Sequence, residues 1–462
     1  MGAVPLETSV TNHPGRRTTS PTALAASLAA LQPTRRAVLR SGLLVGLSGA
    51  AGCSIADDPA TSSGTSAAAT TVTVRIWDDT VQPGYEKSFS AFTQANPDIS
   101  VAVELVPWAS YWDRLPVDVA GGTLPDILWI NSSNYDNYVE AGTFENISKA
   151  LPDALAGFQQ SVVQQFTRDG ALWGVPQLSD AIALFVNTDL ASAAGVDASD
   201  LVWNPAGTGD TLLPAAKALT TLGGARPQYG FNAAFDLQAI YYNFVGSNGG
   251  RWQADDASYV FGDDPKSVEA IQYVVDLINR HKVAPSAADT NANGDFSRDQ
   301  FTQGNLALFQ SGTYNLRNVA DGLTAKWAVA PALTGPAGRV TVTNGIVAVA
   351  NAKSPRREAA LEVLRWLASP EGALFIGAEG AAFPAVTAAQ QTYLDYWKQQ
   401  GVDVSPFLDA AAGETIRAPF GRRAQIGGQA AQPFLREVIA GRLAVADGMR
   451  QAQDAANTAI AG

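Results

Sequence analysis

Residues 72–77 alternate β-branched and polar side chains (Val72, Thr73, Val74, Arg75, Ile76, Trp77), the period-two pattern of a half-buried strand that should end at Asp78-Asp79. Tyr85, Phe89 and Phe92 then recur at i, i+4 and i+7, which predicts an amphipathic helix stopped near Asn96-Pro97. Alternation resumes from Ile99 to Val106 as a second strand. A helix over 111–120, interrupted early by Pro116, closes at Gly121-Gly122, and Pro125-Asp126-Ile127-Leu128-Trp129-Ile130 reads as a buried strand. This β-α-β-α-β order predicts an α/β fold whose largely parallel sheet carries helices on both faces. Ligands of such sheets bind beyond the carboxyl ends of the strands, which here are Trp77-Asp78-Asp79, Pro107-Trp108 and Asn131-Ser132-Ser133.

The later chain keeps the style without repeating the sequence. Residues 181–186 form a short strand, and 268–278 a helix with Val268, Ile271, Val275 and Ile278 on one face. Further helices are predicted over 356–367 and 434–449. No period of a solenoid is present.

Composition locates the packed part. All 18 Phe, 12 Tyr and 10 Trp lie beyond residue 52. Residues 1–52 hold five arginines and one glutamate; without them, the chain's 31 basic and 43 acidic side chains become 26 and 42, a net charge of −16. A field of that sign repels nucleic acid, so no nucleic-acid partner is expected. The two histidines are His13 and His281, too few for a His/Cys zinc site, and His281 reads as a solvated residue near a helix end.

The N-terminus reads as an export and anchoring signal. Arg35-Arg36, with Leu39 three residues on and Val38 where Phe is common, resembles a twin-arginine signal, which carries folded chains. The apolar stretch 41–52 is too short to span a bilayer. It ends at Cys53, the sole cysteine, so an intrachain disulfide is impossible. Leu47-Ser48-Gly49-Ala50-Ala51-Gly52-Cys53 resembles a lipobox, with Ala50 where Leu is preferred. Residues 1–52 are thus expected to be a twin-arginine-type signal with lipobox. Acylated Cys53 would hold the exported protein on the outer face of the cytoplasmic membrane by lipid alone. Residues 53–71, small and polar, should form a flexible tether.

The matured pattern resembles the extracellular solute-binding proteins of ABC importers, the group containing maltose-binding protein, over nearly all of 72–462. The segments that carry it are the opening strand; FTQANPDISVAVELVPW at 92–108; AGGTLPDILWI at 120–130; and ALWGVPQLSDAIALFVNTDL at 171–190. QFTQGNLALFQSGTYNL at 300–316 and VTNGIVAVANAKSPRREAALEVLRWLASPEG at 342–372 continue it. Each motif is degenerate, and their order and spacing carry the likeness. The resemblance implies a two-lobed periplasmic-binding-protein fold, each lobe a mostly parallel sheet flanked by helices, closing on a ligand in the cleft between them. It places 72–179 and 311–345 in one lobe and 180–310 and 346–462 in the other, with Gly304, Gly312 and Gly345 marking sharp turns where the chain could cross. It also implies a monomer without cofactor or catalytic residues, with importer permease subunits as partners.

A sugar is the solute the resemblance favours. Sugars offer an apolar face and a rim of hydroxyls, so their sites join aromatic rings to carboxylates and amides. Trp77, Asp78 and Asp79 end the first strand, Trp108 leads the cluster Trp108, Tyr111 and Trp112 after the second, and Asn131 ends the third. Asp180 stands where maltose-binding protein places a ligand-contacting carboxylate, and Tyr242 where it has a stacking Trp. Tyr314 lies in a loop that commonly carries an aromatic toward the cleft, and Asn344 and Arg417 are further candidates. The working picture is a sugar ring between Trp77 or Trp108 and Tyr242. The same fold also binds polyamines, polyol phosphates or metal chelates, and cations too sit over rings beside carboxylates. A carbohydrate-active enzyme would need an acid and a nucleophile or base at set separation, which no motif supplies. A signalling receptor fits the sequence as well as a transport one. Finally, Asp289-x-Asn291-x-Asn293-Gly294-Asp295 resembles the first half of a calcium loop, but Gln300 stands where a bidentate Glu belongs.

Overall fold

The computed structural model of the chain describes residues 69–223 and 226–462; the signal, Cys53 and residues 53–68 of the tether lie outside the described residues. Nine strands build two sheets: β1 (Thr70–Ile76), β2 (Ile99–Leu105), β3 (Ile127–Asn131), β4 (Val175–Asp180), β5 (Ile182–Asn187), β6 (Tyr229–Phe231), β7 (Leu306–Gly312), β8 (Trp327–Ala330) and β9 (Asn344–Ala350). The first sheet has the order β2-β1-β3-β9-β4 and the second β8-β5-β7-β6. The tether is shorter than expected, because Thr70 and Thr71 already pair with Ile99 and Ser100.

Each sheet contains one reversed strand. In the first, β1 runs parallel to β2 and β3, while β9 is antiparallel to both β3 and β4. In the second, β5 is antiparallel to β7 and β8, and β6 follows β7 in parallel. The reversal has a simple origin. β5 enters its sheet straight from β4, and β9 enters from the second sheet's side of the molecule, so both run away from the shared boundary toward which the other strands run. The expectation of mostly parallel sheets therefore holds in strand direction.

Alternation distributes the side chains onto two faces. Ile127 and Trp129 join the core under the helices Gln82–Ala95, Arg357–Leu367 and Pro370–Ala378, while Leu128 and Ile130 meet Leu115, Tyr135 and Phe166 on the other face. β5 does the same, with Ile182, Leu184 and Val186 on one core and Ala183 and Phe185 on the other. Among the described residues no helix is long and apolar enough to cross a membrane.

Four sequence expectations are corrected. The expected division put 311–345 with the first lobe and 346–462 with the second. Instead β8 belongs to the second sheet, β9 sits inside the first, and Ala360, Leu364 and Ile376 pack on the first core. GIVAVA is buried on both faces, so its pattern cannot show which sheet it enters. The helix expected over 434–449 is two, Ala424–Ile439 and Val445–Ala461, broken where Gly441 takes a φ of +70°. The helix expected from 111 starts at Trp108 and continues through Pro116 to Gly121. Gly345 marks no turn: it lies within β9, where a Cβ would fall 2.8 Å from the Phe166 ring.

Candidate functional site

β4 ends at Asp180 and β5 begins at Ile182, so a single residue separates the two sheets. At about 3.3 Å per residue their edges must lie close together along this line. The first sheet's edge is formed by the carboxyl ends of β1 to β4 and the start of β9, where Asn344 is the register partner of Asp180. Trp77, Asp78, Asp79, Trp108 and Asn131 therefore share one edge, as strand order predicts, and Asp180 and Asn344 join them there. Opposite it, Gly312 ends β7 beside Ile182, bringing Thr313 and Tyr314 to the boundary, and the segment after β6 brings Asp236 and Gln238. Along this line Thr313 Oγ1 donates to Asp180 Oδ1 at 2.8 Å, and Asn344 Nδ2 donates to Gln238 Oε1 at 3.4 Å.

Three carboxylates line this boundary, Asp78 near Asp180 and Asp236 on the far side of Tyr314, with no cation acting on them among the described residues. Burial pushes Asp180 up to about 6, the Thr313 hydroxyl opposing the shift and the Asp78 carboxylate adding to it. Burial likewise raises Asp78, against the Thr80 hydroxyl at 2.7 Å and the Thr80 amide at 2.9 Å, with Asp79 adding. Asp236 is raised by burial against backbone amides, including that of Ala239 at 2.8 Å. None of the three has Lys or Arg among its charged neighbours. Such a boundary favours a ligand that donates hydrogen bonds or carries positive charge.

The aromatic candidates separate. Trp77 is partly buried, with the rings of Trp108, Tyr111, Trp112 and Trp129 centred 5.0–5.4 Å away, mostly edge-on. Trp108 is 51% exposed and offers a ring to solvent. Tyr242 is 6% exposed, packed edge-on against Trp252 at 5.1 Å within the second core. The picture of a ring held between Trp77 and Tyr242 is thus not what the packing offers, because both side chains are already occupied by neighbouring rings. Tyr314 is partly buried against the second core, its hydroxyl raised by burial with Asp236 and Asp180 nearby. Arg417 is exposed, its guanidinium 3.5 Å from the centre of the Phe420 ring, in a segment described below.

Ser132, at a strand end the sequence pointed to, donates its hydroxyl to Asn344 Oδ1 at 2.8 Å, whereas Asp236, Gln238 and Thr313 were missed. Asp236 was legible only as the N-cap of a turn, and Gln238 lies in a π-helical turn, Leu237–Tyr241, which the sequence does not announce.

The calcium-loop candidate is half helix: Asp289 and Asn291 lie in one helix, and Asn293 to Asp295 in the short connection to the next. Ser286 caps a helix, Ala287–Ala292, by accepting from the Asp289 amide, and a helix sends alternate residues to diverging faces. Asn291 accepts from Arg436 at 3.3 Å, Asp295 pairs with Arg298 at 3.1 Å, and Asn293 Oδ1 accepts from the Asp295 amide at 2.9 Å. Among the described residues no group of three His, Cys, Asp or Glu side chains is placed to hold a metal ion.

A family model described as bacterial extracellular solute-binding protein matches residues 78–374. The crystal structure of M. tuberculosis UspC is 47% identical, with a TM-score of 0.68 over 84% of this chain and 100% of that one. An ABC substrate-binding protein of Listeria monocytogenes in complex with cycloalternan is 20% identical, with a TM-score of 0.76 over 84% of this chain and 98% of its own, a likeness of fold. The maltodextrin-binding protein MdxE of Bacillus subtilis is 24% identical over 346 residues, 74% of this chain and 79% of that protein.

Proposed function

The chain belongs to the bacterial extracellular solute-binding proteins, and from that premise we propose that it captures a mono- or oligosaccharide between its two sheet edges and delivers it to an ABC importer permease. The single observation that carries the reading is the boundary itself. Asp78, Asp180, Asp236, Asn131, Asn344 and Gln238 supply acceptors and donors for hydroxyls, and Trp108 supplies an open ring for a sugar's apolar face. The names of the maltodextrin-binding relative and of the cycloalternan-bound structure support the same class.

In this reading the first lobe is 70–180 with 343–389, and the second 181–342 with 390–462. Ala389 is the last residue of the first core, and Tyr393 already packs with Phe185. Cys53, acylated after export, anchors an otherwise monomeric binder that performs no chemistry on its solute. One observation favours a second solute class: three carboxylates without a counter-cation suit a polyamine as well as hydroxyls.

A thermal-shift screen of the mature protein against mono- and oligosaccharides, polyols and polyamines separates the two. Binding to the folded state adds RT ln(1 + [L]/Kd), about 4 kcal/mol at 1,000 times Kd. A rise in Tm with one sugar class is the expected result. A rise with polyamines alone moves the protein to the second class, and no rise with any of them sinks the reading.

A further inference from the structure

One stretch of the second lobe returns to the first at the helix that follows β3. Gly421 donates its amide to Asp136 Oδ2 at 2.6 Å, and Arg422 Nε lies 3.3 Å from Glu140 Oε2. Asp136 and Glu140 stand at i and i+4 on the helix Ser132–Glu140, which begins at the site's own edge and carries Ser132. Asp136 is only 6% exposed, and its other oxygen is held by Arg168 Nε.

The returning segment, 417–423, is built to present that one amide. Gln253 fastens Phe420 from both sides, accepting from its amide at 3.0 Å and donating to its carbonyl at 3.3 Å. The next residue, Gly421, takes a φ of +92°, and Arg423 takes +62°, a conformation L-residues rarely adopt. The long helix Ala424–Ile439 starts immediately after, with no side-chain cap, so its positive end faces the two carboxylates of the other lobe.

We propose that residues 417–423 are a strap that latches the second lobe to the first through Asp136 and Glu140, so that Asp136, Gln253 and Arg422 set solute affinity without touching solute. The proposal rests on the reading that the two lobes close around a bound molecule. A latch made only in the closed arrangement, which the ligand-free protein also populates, stabilises every complex alike. It slows release and leaves encounter and selectivity unchanged.

The test uses the mature protein and two variants. Asp136→Ala breaks the latch from the first lobe, and Gln253→Ala with Arg422→Ala breaks it from the second while leaving the Asp136–Arg168 pair intact. With the solutes found in the thermal screen, stopped-flow should show release faster by about tenfold in both, with association unchanged and the ranking of solutes preserved; tenfold corresponds to about 1.4 kcal/mol. Small-angle scattering of the ligand-free proteins should show a larger radius of gyration in both variants. Unchanged release in the Gln253→Ala/Arg422→Ala protein, or a changed solute ranking, overturns the latch. If the solute screen is blank, the scattering comparison still decides it: equal radii for wild type and both variants overturn it, independently of the sugar reading.

Discussion

Asp180→Asn should stabilise the ligand-free protein at pH 8 and weaken solute capture by at least about tenfold, or about 1.4 kcal/mol. The sign follows from burial. Asp180 is pushed from its ordinary value near 3.8 up to about 6, so the folded state holds this proton more tightly than the unfolded state does. The stability that goes with the protonated carboxyl is fully present below pH 3.8 and is lost as pH rises through 6. Above that, the charged group costs the fold on the order of 3 kcal/mol relative to a neutral one. Asn removes the charge and keeps an acceptor for the Thr313 hydroxyl. Melting curves from pH 4 to pH 8 should therefore coincide at the acid end and separate through 6, with the variant higher. Parallel curves across the range would mean that the carboxylate is not strained. Titration calorimetry supplies the second half, and a variant that gains stability but keeps its affinity removes Asp180 from the site.

Trp129→Ala should cost about 3–5 kcal/mol, the range for emptying a buried aromatic position. Trp129 is fully buried on β3, edge-on to Trp77 at 5.0 Å and to Tyr85 at 5.5 Å. Its indole nitrogen donates to the Tyr85 hydroxyl at 3.2 Å, and that hydroxyl in turn donates to Gln177 Oε1 at 2.9 Å. The Tyr111 hydroxyl donates to the Trp129 carbonyl at 2.7 Å. The substitution thus opens a cavity and takes from the buried Tyr85 hydroxyl the indole donor it accepts from, while the Tyr111 bond to the backbone remains. Because Trp77 leans on the lost ring, binding should weaken as well. Urea unfolding measures the first effect, with Trp129→Phe expected to recover the packing but not the hydrogen bond. A loss below about 1 kcal/mol would show that the five rings at this edge do not act as one packed unit.

Much of this was legible along the chain. Strand order follows from alternation and from Asn-Pro and Gly-Gly stops, and with strand direction it fixes which residues share an edge. Hence Asp78 and Asn131 could be chosen from the pattern alone, and Asp180 from the family resemblance. What was not legible depends on long-range placement. Trp77 and Trp108 have the same local signature, yet one is partly buried among four rings and the other is half exposed. Tyr242 lies next to Asp236 in space, but its ring is occupied by Trp252, 10 residues further along. Gln238 and Thr313 carry no pattern of their own and matter only because two edges meet. The lobe boundary failed for the same reason: a fully buried strand looks alike in either sheet.

The position of β9 has a consequence for how the chain becomes a protein. This strand fills the gap between β3 and β4, pairing Ile346 with Asn131, 215 residues earlier, and Asn344 with Asp180, 164 earlier. β5 to β8, by contrast, are contiguous within 182–330. At about 5–20 residues per second, a ribosome needs roughly 10–30 s to travel from β4 to β9. Throughout that interval β3 and β4 each present an unpaired edge. The sheet encoded later can assemble while the one encoded first waits for its middle strand, so the sheet that is begun first is closed last.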